Sequence, residues 1–122
     1  MSDRITAMSD ESVFTKIINR EIEARIVAEN DRIIAFEDIA PQAQCHVLVV
    51  PKTTEYATVE ELAAGDPVLL AEMVALARPI ALERGNGDFR LVFNNGEKAG
   101  QTVFHVHMHV LSGPELSEGN IA

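Results

Sequence analysis

The sequence predicts an α+β fold. Five short runs rich in β-branched and apolar residues, one long stretch of helical periodicity between the third and fourth of them, and a short amphipathic stretch ahead of the first lead to it. At 122 residues the chain has the size of one ordinary domain, enough to bury roughly two-thirds of the surface its unfolded form exposes. It is 47% hydrophobic and 24% charged, close to the average of globular chains and far from the composition of disordered ones.

Residues 1–10 carry no apolar period and read as a flexible leader, followed by a domain over 11–112 and a short polar tail over 113–122. Ser9 or Asp10 is placed to cap a first helix, in which Phe14, Ile17 and Ile18 share one face. Two β-rich runs, Arg25 to Ala28 and Arg32 to Phe36, flank the polar turn Glu29-Asn30-Asp31 and read as a hairpin. After the Pro41 to Gln44 loop, His46 to Val50 is continuously apolar beyond its histidine, the mark of a strand buried on both faces. The helical pattern from Asp66 to Glu83 has Asp66 as N-cap, Pro67 where a missing N–H costs nothing, and Gly85 beyond its end. Pro79 lies inside that span, so a kink or an early end is expected near it. Phe89 to Phe93 and Val103 to Leu111 complete the strands, joined by a loop from Asn94 to Gln101 that is rich in turn residues.

Charge and cysteine usage narrow the function. Nineteen acidic against ten basic residues give a formal charge of −9, which disfavours nucleic acid as a partner. A small phosphate compound remains allowed, because donors inside a pocket govern its binding once salt has screened the surface. The single cysteine, Cys45, excludes an internal disulfide framework and fits a reducing compartment, so a cytoplasmic location is expected. No uncharged apolar run approaches the roughly 20 residues of a membrane span, and residues 1–10 lack the basic and apolar regions of a signal peptide.

Three of the four histidines alternate in His105-Val106-His107-Met108-His109. On a strand, a period of two puts the three imidazoles on one face and Phe104, Val106, Met108 and Val110 on the other, toward a core. A lone histidine is ordinarily a satisfied core residue, but three in a row have no packing rationale. Two chemistries compete for them: zinc ligation by neutral imidazole, and nucleophilic catalysis through a covalent intermediate. A metal site would be helped by a carboxylate close by, and the adjoining segment offers only Glu97. The same loop supplies Asn94, Gly96, Gly100, Gln101 and Thr102, amide, hydroxyl and backbone donors suited to phosphate oxygens.

The run His105 to Leu111 resembles the His-φ-His-φ-His-φ-φ signature of the histidine triad family. Asp38 to Lys52 resembles a second block of its nucleoside phosphoramidase branch. Order and spacing agree from Phe14 to Ser112. The resemblance implies an antiparallel sheet of about five strands with one long and one short helix, paired as a homodimer through the long helix and a strand. It implies that His107 attacks the phosphorus, that His105 and His109 flank it with His109 on the phosphate, and that His46 holds the active imidazoles. Asn94 and Thr102 match positions that contact the phosphate and leaving group. Asp38 falls on the ribose hydroxyls, and Phe14, Ile22, Phe36 and Ile39 form the apolar slot for a purine.

The expected activity is hydrolysis of a purine nucleotide, releasing a nucleoside monophosphate from an amine through a nucleotidyl-histidine, with no metal and no cofactor. A dinucleoside polyphosphate hydrolase, a nucleotide-binding module without turnover and a zinc hydrolase are the alternatives. Ile22-Glu23-Ala24 stands where the family usually has Ile-Pro-Ala, and Cys45 replaces a small hydroxyl residue or glycine before His46. The residues after Ser112 lack the tryptophan of some relatives, and no Cys-x-x-Cys accompanies the N-terminus as in relatives with structural zinc.

Overall fold

A computed structural model describes residues 12–119. The expected leader therefore lies outside the described residues, together with the caps Ser9 and Asp10. Helix α1 spans Val13–Ile18, and its N-cap is Ser12, whose side chain accepts the Thr15 N–H. The hairpin strands are β1, Ile26–Glu29, and β2, Ile33–Glu37, each starting one residue later than the sequence suggests. Asn30 explains the shift: its side chain accepts the N–H groups of Arg32 and Ile33, so the turn extends to Arg32. Strand β3, Cys45–Pro51, is buried along its whole length, as a strand covered on both faces must be.

Three helices follow. The first, α2, Val59–Gly65, has no counterpart among the elements read from the sequence; Thr58 caps it and Leu62 is its buried anchor. The expected long helix is two: α3, Pro67–Ala75, capped by Asp66, and α4, Ala77–Arg84, ending at Gly85. Pro79 has no N–H for the carbonyl of Ala75, and the Leu76 N–H turns back to Met73 O at 3.2 Å, so the run breaks at Leu76. Strand β4 is Arg90–Val92, and Glu97–Ala99 is a single 3-10 turn.

Strand β5 is Met108–Ser112, so the first two histidines of the alternating run precede the strand rather than sit on it. Residues 101–107 follow a path set by side chains and isolated backbone bonds. Phe104, expected on the core face, is 55% exposed because it lies on this irregular approach, whereas Val106, Met108 and Val110 are buried as expected.

The five strands form one sheet in the order β1-β2-β3-β5-β4, antiparallel throughout. Pairing places Leu48 opposite His109 and His46 opposite Leu111, so these four share one face of the sheet. The alternate residues Cys45, Val47 and Val49 pack on the other face with Leu62, Leu69, Met73, Ala77 and Ile80 of the three helices. On the histidine face α1 supplies Phe14 and Ile17, which pack with Ile34, Phe36, Leu48 and Val50. Register thus decides that the central strands carry helices behind and a site in front. Among the described residues no helix is long and apolar enough to cross a membrane.

Candidate active site

The four imidazoles form a row under α1. Ring centroids lie 5.1 Å apart for His46 and His109 and 5.2 Å apart for His107 and His109. Phe14 closes the row edge-on, 4.8 Å from His107 and 6.1 Å from His105.

Hydrogen bonds fix the proton on each ring. The Gln42 backbone N–H donates to His46 Nδ1 at 3.0 Å, so that nitrogen is bare and the proton sits on Nε2. His46 Nε2–H then donates to His109 Nδ1 at 2.9 Å, leaving the His109 proton on Nε2, which is buried and has no partner among the described residues. His107 Nδ1–H donates to His105 O at 2.9 Å, so its Nε2 carries the lone pair. His105 Nε2–H donates to Pro51 O at 2.7 Å.

Burial disfavours a second proton on every ring and lowers the pKa of His46, His105 and His107 from the ordinary histidine value. His109 is pushed to about 4, by burial first and then by repulsion from His107 and His46. The row is neutral at pH 7.

His107 and His109 open onto a cleft of about 420 Å³. Asn94, Gly100 and Thr102 line it beside them, and Asp38, Phe14, Ile22, Phe36 and Ile39 line it further along. The Asp38 carboxylate is anchored by the Ala40 N–H at 2.8 Å and sits 3.4 Å from His46 Nε2. Gly100 adopts a left-handed backbone, φ 98°, which lets the loop turn at the cleft wall. Past Ile22 and Ile39, the latter fully exposed, the cleft widens into a shallow groove of about 820 Å³ that holds no histidine.

Gln101 is a correction to the sequence reading. It is buried, and its side chain accepts the Gly96 N–H at 2.8 Å while donating to Ala57 O and Val103 O at 2.6 and 2.9 Å. Its own N–H goes to Gly96 O. No donor is left for a phosphate, so it braces the loop instead. His46 and His105 likewise do not line the cleft and reach it through other residues.

Asp38, His46 and His109 bring three potential ligand atoms within 4.8 Å of one another. They fit a cation poorly. His46 Nδ1 already accepts a backbone N–H, so metal on Nε2 would leave that ring without a proton, as an imidazolate.

Known proteins resemble this chain in sequence and in fold. The family model described as "scavenger mRNA decapping enzyme C-term binding" matches residues 11–121. An uncharacterized HIT-like protein of Synechocystis is 46% identical over 114 residues, covering 90% of this chain and 96% of that one. The chain belongs to the histidine triad family. Within that family, a purine nucleoside phosphoramidase of Escherichia coli is 40% identical over 111 residues, covering 89% of this chain and 92% of that one. A HIT family hydrolase from Legionella pneumophila superposes with a TM-score of 0.81 at 38% identity, covering 88% of this chain and 97% of that one.

The histidine triad signature marked out the row of imidazoles but not what holds it. Pro51 O, the His105 carbonyl and the Gln42 N–H are backbone atoms, and any residue carries them. Ser12, the N-cap of α1, was not singled out by the sequence, which offered Ser9 or Asp10 for that place. Ile17, Ala24 and Leu48 on the cleft wall had no signal apart from core packing.

Proposed function

We propose that the chain is a purine nucleoside phosphoramidase acting through a covalent nucleotidyl group on His107. The observation that carries the reading is the committed Nδ1 proton of His107, which leaves an unprotonated Nε2 beside a cleft of nucleotide size. The 40% identity to the Escherichia coli phosphoramidase supports the same substrate class. The purine lies among Phe14, Ile22, Phe36 and Ile39, the ribose hydroxyls donate to Asp38, and the phosphate reaches His107, Asn94, Gly100 and Thr102.

His107 Nε2 attacks phosphorus, and the P–N bond breaks with its electron pair leaving on nitrogen. That nitrogen takes a proton from solvent at the open mouth of the cleft. His109 Nε2–H is the imidazole proton that no protein acceptor holds among the described residues, and it donates to a phosphoryl oxygen as charge develops there. Water then attacks phosphorus and gives up a proton to solvent, the P–Nε2 bond breaks with its electron pair returning to the ring, and a nucleoside monophosphate and neutral His107 result. Because an amine leaves readily once protonated, phosphoramidates are the preferred substrates.

The protein acts as a homodimer in this reading. Val68 and Leu82 of the helix pair are 63% and 66% exposed, and β4 is an edge strand of the sheet. Light scattering at micromolar concentration is expected to give twice the chain mass. The free, buried Cys45 fits a reducing, cytoplasmic setting.

A substrate panel tests the activity: adenosine and guanosine phosphoramidates against dinucleoside polyphosphates, compared by kcat/KM. The phosphoramidates should exceed the dinucleotides. Faster cleavage of dinucleoside polyphosphates would assign the site to that reaction, and tight binding without turnover would make the chain a nucleotide-binding module.

A further inference from the structure

His107 is aimed by a carbonyl that the sheet does not hold. Strand β5 begins at Met108, so His105 O, which accepts the His107 proton, lies ahead of the ladder. Two contacts fix that stretch, one from the loop after β3 and one from the end of β3: Val106 N–H donates to Tyr56 O at 3.0 Å, and His105 Nε2–H donates to Pro51 O at 2.7 Å. With its proton on Nε2, the His105 ring presents a bare Nδ1 on a residue only 3% exposed. A buried acceptor of this kind requires a donor. The donor is the hydroxyl of Ser12, at 3.5 Å.

Ser12 is also the N-cap of α1, with Oγ accepting the Thr15 N–H at 3.0 Å. Thr15 Oγ1 lies 3.2 Å away and can donate to Ser12, which frees the serine proton for His105. The same helix carries Phe14 against the His107 ring. One hydroxyl therefore ties the helix that walls the cleft to the residue whose carbonyl orients the nucleophile.

We infer that Ser12 is a positioning residue: its hydroxyl proton holds His105 in the Nε2–H form and, through the His105 carbonyl, sets the orientation of His107. The kinetic consequence rests on the proposed role of His107; the hydrogen bond does not. Capping alone needs only an acceptor or a permissive backbone, which Asp and Gly both supply in nearly full measure. Neither brings a proton to His105 Nδ1, and a carboxylate there draws one onto it, favouring an imidazolium.

Ser12→Gly, Ser12→Asp and Ser12→Thr in the full chain separate the two roles. The readouts are imidazole ¹⁵N shifts of His105 and His107, the unfolding midpoint, and kcat and KM for adenosine phosphoramidate. Ser12→Thr should restore all of them. Ser12→Gly and Ser12→Asp should keep KM while kcat falls by about ten-fold, the scale of a small misplacement of a reacting group. In Ser12→Asp the His105 Nδ1 signal should move from bare to protonated. Should the aspartate variant not fold, the glycine variant alone decides, through the loss of the hydrogen-bonded Nδ1 shift. Unchanged ¹⁵N signals with wild-type kcat in either variant would reduce Ser12 to a helix cap and overturn the inference. A wild-type protein that turns over no phosphoramidate would instead refute the proposed function, leaving the ¹⁵N comparison to decide on Ser12.

Discussion

The reactivity assigned to His107 depends on one proton, and a main-chain oxygen decides where that proton sits. An imidazole with its Nδ1–H on a carbonyl has its lone pair on the other nitrogen, and burial that lowers its pKa keeps that lone pair free at neutral pH. Serine would need a base to reach the same state. Replacing His107 by Ala removes the nucleophile while Asp38, Asn94 and the apolar slot stay in place. Turnover should fall by at least about a thousand-fold with nucleotide affinity within a few-fold of wild type, since binding and chemistry draw on different groups. Rapid quench of the wild-type enzyme into alkaline denaturant, after mixing with a labelled phosphoramidate, checks the acid-labile nucleotidyl-histidine directly. Label on the peptide spanning residues 103–111 is expected, and its absence at catalytically competent times would turn the mechanism to direct attack by water.

At the scale of elements, the loop between β4 and β5 separates two explanations for the same residue. Gln101 makes three side-chain hydrogen bonds that join Gly96, Ala57 and Val103, and so ties the loop to the chain entering α2. Gln101→Ala would strand partly buried backbone groups of Gly96, Ala57 and Val103, each worth up to about 1–3 kcal/mol when left unpaired. A loss of at least about 2 kcal/mol in urea unfolding, with KM rising because Gly100 and Thr102 lose their frame, is expected. Unchanged stability with a lower kcat would restore the phosphate-donor role read from its sequence position. The strands were legible because β-branched runs and hairpin turns are local signals, and the Asp66-Pro67 start and Pro79 break because capping and proline act locally too. Helix α2 was not, since Val59 to Gly65 has a single buried anchor, Leu62, and no amphipathic period to display. The start of β5 was not either, because alternation continues through His105 and His107 although the ladder partners end at Val49. Pattern reports which side chains alternate, while pairing depends on a partner strand.

For the molecule as a whole, keeping four imidazoles neutral inside the fold links stability to pH. Each native pKa lies below that of the unfolded chain, at about 6.5. Above that value neither state binds the proton and the full stability is present. As the pH falls below it, the unfolded chain takes up protons that the native row refuses, so stability declines, by up to about 1.4 kcal/mol per pH unit for each histidine. The decline from His109 continues until its native value of about 4 is reached. Glu29 acts in the same direction at lower pH: its hydrogen bonds to Lys52 and Arg20 lower its native pKa, so its contribution is lost as the pH falls through that value. Opposing both is the formal charge of −9, whose self-repulsion weakens on acidification. The slope attributable to the row is therefore a difference between variants rather than the raw curve. Urea midpoints measured from pH 7.5 to 4.5 should fall steeply for the wild type and less steeply for His109→Asn, because the asparagine takes up no proton in either state while leaving the surface charge unchanged. Parallel curves for the two proteins would mean that His109 protonates as readily in the fold as outside it. A histidine that accessible would also be charged at mildly acidic pH and could not accept the His46 proton on which the order of the row depends.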